Sequence, residues 1–130
     1  MRSATHAVWV WGPAVCLMIA IFAFSSFSRL PVPLGGSSDL VVHGLVYALL
    51  GILMVRALAD GSWRGVNTNT LATAVLLTIF YGCTDEYHQS FVAGRVADIY
   101  DVIADAVGAC SGAVGVWLWG IVFLDKREET

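Results

Sequence analysis

At 130 residues the chain has the size of a single domain. Hydrophobic residues make up 58% and charged ones 13%, with a mean hydropathy of +0.75, against about 45–50% and about 25% in an ordinary water-soluble domain. A net charge of −3, with no basic stripe, leaves no case for a nucleic-acid partner, and three cysteines at unrelated spacings inside apolar runs (Cys16, Cys83, Cys110) make neither a disulfide framework nor a zinc site, so they are expected to be small core hydrophobes.

Four apolar runs follow in order. Val8–Phe27 holds no charge and matches one crossing of a ~30 Å hydrocarbon core; it is too long for a cleavable signal and reads as an anchor. The stretch "SRLPVPLGGSS" breaks the chain with proline and glycine. Leu40–Val55 lies between Asp39 and Arg56 and contains His43. After the polar turn "ADGSWRGVNTN" comes Leu71–Thr84. Fourteen residues at 1.5 Å each span only ~21 Å, short of the bilayer core, so this helix is expected to continue through Asp85, Glu86 and Gln89. "FVAGR" then turns the chain, with Gly94 able to take a positive φ. Val102–Leu124 is the last run, interrupted only by Asp105.

In lipid, runs of this length must be helical, because the backbone finds no water partners there. The expectation is therefore an all-α polytopic integral membrane protein over residues 1–130. Its four transmembrane helices (about 8–27, 39–58, 68–90 and 97–124) form one compact bundle. Positive charge orients it. Arg2, Arg56, Arg64, Lys126 and Arg127 fall on the side of the termini, against Arg29 and Arg95 on the other. This places the N- and C-termini in the cytoplasm and the protein in the cell membrane. Trp9, Trp11, Trp63, Trp117 and Trp119 lie near the cytoplasmic ends, as an interfacial belt does.

The remaining polarity converges on the outer ends. Six of the ten acids are there: Asp39, Asp85, Glu86, Asp98, Asp101 and Asp105. Asp98, Asp101 and Asp105 repeat at i, i+3 and i+7, one helix face. Gly108 and Gly112 continue that face as a G-x-x-x-G step that lets helices approach closely in lipid, so the carboxylates are expected to point into the bundle. Asp39, His43 and Tyr47 stack on the second helix. Tyr81, Asp85, His88 and Gln89 share a face of the third, with Glu86 to one side. His6 and His88 read as interfacial polar residues rather than ligands. Intramembrane carboxylates cost about 2.5–3.5 kcal/mol each at the bilayer centre, less near its edge. Counter-charges from Arg95 and His43, shared protons, or a bound hard cation would offset that cost.

Asp39-x-x-x-His43 with Tyr47, followed by "YGCTDEYHQSFVAGRVADIYDVIADAVG", resembles the VanZ-like membrane proteins. The matching positions are Asp39, His43, Asp85, Glu86, Gln89, Phe91, Gly94, Arg95, Asp98, Asp101 and Gly108, with "FSSFS" (Phe24–Ser28) similar to the family's end of helix one. The resemblance covers about Phe24 to Gly115. Three positions depart from the pattern: Leu40 where lysine is usual, Ala93 where proline is common, and Asp105 where asparagine is usual, so this cluster is more acidic. The resemblance implies an association with resistance to the glycopeptide teicoplanin. It carries over no cofactor and no catalytic role.

Four readings of the cluster stand side by side. It clamps the helices, pairing Arg95 with Asp98 or Asp101 and His43 with Asp39 or Asp85. It binds an amphipathic envelope molecule, such as a lipid-linked wall precursor or the antibiotic itself. It catalyses metal-assisted hydrolysis or transfer, with Asp39, His43, Glu86, Asp98 and Asp101 as ligands and base; one histidine among carboxylates suits magnesium or manganese better than structural zinc. Or the chain is an accessory subunit of a larger membrane complex. No H-E-x-x-H, G-x-S-x-G or P-loop is present, and Ser25, Ser26 and Ser28 have no evident paired base.

Overall fold

The structure, a computed structural model, describes residues 3–28, 37–64 and 66–124. Four long helices account for most of them: α1 (Ala4–Ser25), α2 (Ser37–Leu58), α3 (Thr68–Gln89) and α4 (Ile99–Trp119), the last continued by a π-helical turn at Gly120–Leu124. Arg2, Arg29, Lys126 and Arg127, four of the seven charges used to orient the chain, lie outside the described residues.

Local signals set the helix ends. Ser3 caps α1 by accepting from the His6 N–H at 3.2 Å, which starts that helix four residues before the apolar run does. Asn67 caps α3 through the Thr70 N–H at 2.9 Å. α3 runs through Gln89, past the end of its apolar stretch, as its length required. Gly94 carries the chain round at φ 83°. α4 begins at Ile99 rather than 97, because Asp98 spends its side chain on the cap, accepting from the Tyr100 N–H at 2.9 Å.

α2 and α4 form the closest pair. A Cβ on Gly108 would run into the carbonyl oxygen of Gly44, and one on Gly112 into that of Ala48; Gly51 in turn faces the Ala109 backbone. The expected small-residue stripe of α4 therefore meets a matching one on α2, Gly44, Ala48 and Gly51, and the two backbones touch.

Next to Arg56 the chain repairs a defect of its own. Pro13 lies inside α1 and has no N–H to offer the Trp9 carbonyl one turn back. The Arg56 guanidinium takes that place: Nη1 donates to Trp9 O at 3.1 Å and to Val10 O at 2.9 Å, while the group lies 4.1 Å over the Trp9 ring. His6 and Asp60, 3.0 Å apart, and the Trp117 indole, 3.0 Å from Val66 O, sit at this same end.

The distribution of polarity is the reverse of a water-soluble bundle. α3 buries Thr78, Asp85, Glu86 and Gln89 and exposes Leu76, Phe80 and Tyr87. α1 exposes Val8, Ile19 and Phe22. Cys16, Cys83 and Cys110 are exposed on the outside of the bundle, not in its core as expected; an apolar exterior makes no distinction between a thiol and its neighbours. Among the described residues, three helices are long and apolar enough to cross a membrane: Ala4–Ser25, Asp39–Leu58 and Ile99–Val122. α3, with Thr68, Asn69, Asp85, Glu86 and Gln89 among its residues, is not one of them.

Candidate functional site

The C-terminal ends of α1 and α3 meet the N-terminal ends of α2 and α4, and the acidic cluster forms where they gather. In the last turn of α3, Asp85 and Glu86 are neighbours in sequence, hence about 100° apart around the helix. They therefore serve different partners. Asp85 reaches α1, where the Ser25 hydroxyl donates to Oδ1 at 2.7 Å. Glu86 reaches the start of α4, where the Asp98 N–H donates to Oε2 at 3.1 Å. Gln89, one turn on, ties the two together: its Nε2 donates to Asp85 Oδ2 and to Glu86 Oε1, both at 3.0 Å. All three side chains are buried.

The second half of the site lies between α2 and α4. His43 Nδ1 is 3.0 Å from Asp105 Oδ1, and its Nε2 is 4.0 Å from Asp101 Oδ2. Asp105 is almost sealed from solvent, at 1% exposure. A carboxylate only accepts, so against ionised Asp105 the imidazole carries its hydrogen on Nδ1 and turns Nε2 towards Asp101. This replaces the expected pairing of His43 with Asp39 or Asp85. The contact between Gly44 and Gly108 draws α4 against α2 at that level and puts Asp105 nearest. One ligand-capable atom each from Asp39, His43 and Asp101 lies within 4.8 Å of the others.

Arg95 does not form the expected pair with Asp98 or Asp101; its Nη2 is 3.5 Å from the Phe24 carbonyl, and its buried Nε has no partner among the described residues. Asp98 is exposed, a helix cap rather than part of an inward stripe. Tyr47 is 2% exposed, with a buried hydroxyl that has no partner among the described residues. Its ring lies 6.4 Å from that of Tyr81, whose hydroxyl donates to Met18 O at 2.6 Å. His88 stacks on Phe22 at 4.4 Å and meets Ser26 Oγ at 3.0 Å, fastening α1 to α3.

These groups border a cavity of about 440 Å³ between α1, α2 and the end of α3. Its apolar wall is Leu17, Ala20, Ile21 and Phe24 of α1 with Val42 and Val46 of α2; its polar wall is Ser25, Asp39, His43, Tyr47, Asp85, Gln89 and Arg95. Of the predicted residues, Asp39, His43, Tyr47, Asp85, Gln89 and Arg95 line it, whereas Glu86, Asp98, Asp101 and Asp105 lie off its wall. Ser25, named from the sequence only as a serine without a paired base, and the α1 wall were not among the predicted site residues. The signal for Ser25 was the serine pair in "FSSFS"; nothing in an unbroken apolar run marks which of its faces will border a cavity.

Residues 10–122 match the family model described as VanZ/LLP1. The uncharacterized protein C11E3.10 of Schizosaccharomyces pombe (strain 972) is 32% identical over 114 residues, which is 87% of this chain and 64% of that protein. The chain thus spans just under two thirds of the length of this curated relative. No solved structure matches the chain.

Proposed function

The chain belongs to the VanZ/LLP1 family, and from that premise we propose that it is a four-span membrane protein whose polar end binds the headgroup of an amphipathic envelope molecule. The observation that carries this reading is the cavity: apolar along α1 and α2, polar where the four helix ends meet. A ligand with a greasy tail and a polar head fits such a wall in one orientation only. The chemistry suits a lipid-linked wall precursor, or a glycopeptide of the teicoplanin type with its amines, sugars and acyl tail.

The fourth span is α3. Its inward Asp85, Glu86 and Gln89 and outward Leu76 and Phe80 belong to a helix that faces lipid on one side and polar neighbours on the other. With Arg56 and Arg64 near one end and Arg95 at the other, the termini are cytoplasmic and the cluster is extracytoplasmic. Single cysteines placed at Ser62 and Ala93 in a cysteine-free background should react with an impermeant maleimide from opposite sides of sealed vesicles; labelling from one side rejects this topology.

The binding reading is tested by teicoplanin susceptibility and lipid-linked precursor binding in cells making wild type, Ala20→Phe or Asp101→Asn at matched membrane abundance. Ala20→Phe fills the cavity and should abolish both effects. Protection and binding equal to wild type in Ala20→Phe would remove the cavity from the function. A second reading, metal-assisted hydrolysis or transfer on the same headgroup, draws on the convergence of Asp39, His43 and Asp101. An accessory role in a larger membrane complex has the apolar exterior in its favour, and co-purification of a stoichiometric partner would favour it over free-standing binding.

A further inference from the structure

We propose that Asp39 and His43, on the polar wall of the cavity, and Asp101, just off it, form a site for one divalent cation, with Asp105 as its positioning residue. The inference deepens the headgroup-binding reading and rests on it for what the cation would meet. Three atoms no more than 4.8 Å apart surround a point at most about 2.8 Å from each, a few tenths of an ångström outside the ~2.0–2.6 Å of hard-cation sites. Small side-chain rotations of Asp39 and Asp101, both only partly buried, close that gap.

Two features beyond the three residues point to an occupant. The Tyr47 hydroxyl is buried without a partner among the described residues, on the cavity wall that Asp39 and His43 share and one helical turn from His43. A buried hydroxyl left unpaired costs about 1–3 kcal/mol. A cation's water, or a headgroup oxygen bound to the cation, gives it a partner. Behind His43, Asp105 Oδ1 receives Nδ1 at 3.0 Å. Metal-binding histidines are held in just this way by a carboxylate, which fixes the ring and leaves the other nitrogen for the ion. Two carboxylate oxygens with one imidazole, and no thiolate, are donors that Mn²⁺ or Mg²⁺ accepts. Three protein ligands leave coordination positions free, and with them an anionic headgroup oxygen can be held beside carboxylates that would otherwise repel it.

The test is Mn²⁺ titration of the full chain in lipid nanodiscs, followed by calorimetry and electron paramagnetic resonance. Wild type should bind one Mn²⁺ per chain. His43→Gln, Asp39→Asn and Asp101→Asn should each weaken binding at least about ten-fold, and Asp105→Asn about ten-fold with unchanged stoichiometry. Asp60→Asn, at the opposite end, should leave the affinity unchanged. If His43→Gln does not fold, Asp39→Asn and Asp101→Asn, at partly exposed positions, decide the matter alone. Absence of a saturable wild-type site, or an affinity indifferent to these changes, overturns the proposal. Lipid-linked precursor binding in the same nanodiscs, with Mn²⁺ or with chelator, separates the two ideas. Mn²⁺ bound at the mutation-sensitive site without precursor binding upholds the cation site and rejects the headgroup reading. Precursor bound with no Mn²⁺ site does the reverse.

Discussion

Glu86 tests how far the cluster is structural. Its two oxygens accept from two donors on different elements, Gln89 Nε2 at 3.0 Å and the Asp98 N–H at 3.1 Å, and the residue is only 5% exposed. Replacing it by glutamine preserves shape but leaves one acceptor oxygen for two donors. Whichever way the amide turns, one N–H then faces an NH₂ group. A buried hydrogen bond to a charged acceptor contributes about 1.5–3 kcal/mol, so Glu86→Gln should lower stability by about 2 kcal/mol. Glu86→Ala loses both bonds and leaves a void, for about 4 kcal/mol. Asp98→Asn, by contrast, keeps the N-cap and the N–H that Glu86 uses, and should cost less than about 0.5 kcal/mol. Equilibrium unfolding in mixed micelles of a mild detergent and sodium dodecyl sulfate measures all three. A Glu86→Gln protein as stable as wild type would show that Glu86 does not clamp α3 to α4.

Two further outcomes follow from the packing. Gly112→Ala forces a methyl group against the Ala48 carbonyl and should cost about 2 kcal/mol or more in the same assay, whereas Gly115→Ala, with nothing within 4 Å of its new Cβ, should be neutral or slightly stabilising; equal effects at both would mean α2 and α4 do not touch as described. Arg56→Ala should cost about 2 kcal/mol, and about 1 kcal/mol less in a Pro13→Ala background, where residue 13 regains an N–H for Trp9 O; an identical cost in both backgrounds would show that Arg56 is not compensating for the proline.

The family resemblance, the four helices and the end of the bundle that carries polarity were legible in the sequence. The resemblance rests on the motif from Asp39 to Gly108, and the helices and the polar end rest on local periodicity. Apolar runs of bilayer length with polar breaks mark helices. The short third run had to extend through Gln89 to be long enough, and it does. Gly108 and Gly112 announced a close approach, because a stripe of glycines on an apolar helix has few other uses. What periodicity cannot state is which face meets which neighbour. His43 pairs with Asp105 rather than Asp39 or Asp85 because the Gly44 and Gly108 backbones touch and set the level of α4 against α2. Asp98, in phase with Asp101 and Asp105, leaves the stripe because the helix starts one residue after it and takes its side chain as a cap. Ser25 acquires Asp85 as its partner across 60 residues of sequence, through the packing of α1 on α3. The cavity is likewise a product of tertiary structure, since it is the space that α1 leaves uncovered beside α2. Sequence spacing placed the residues on their helices, and the approach of the backbones decided their partners.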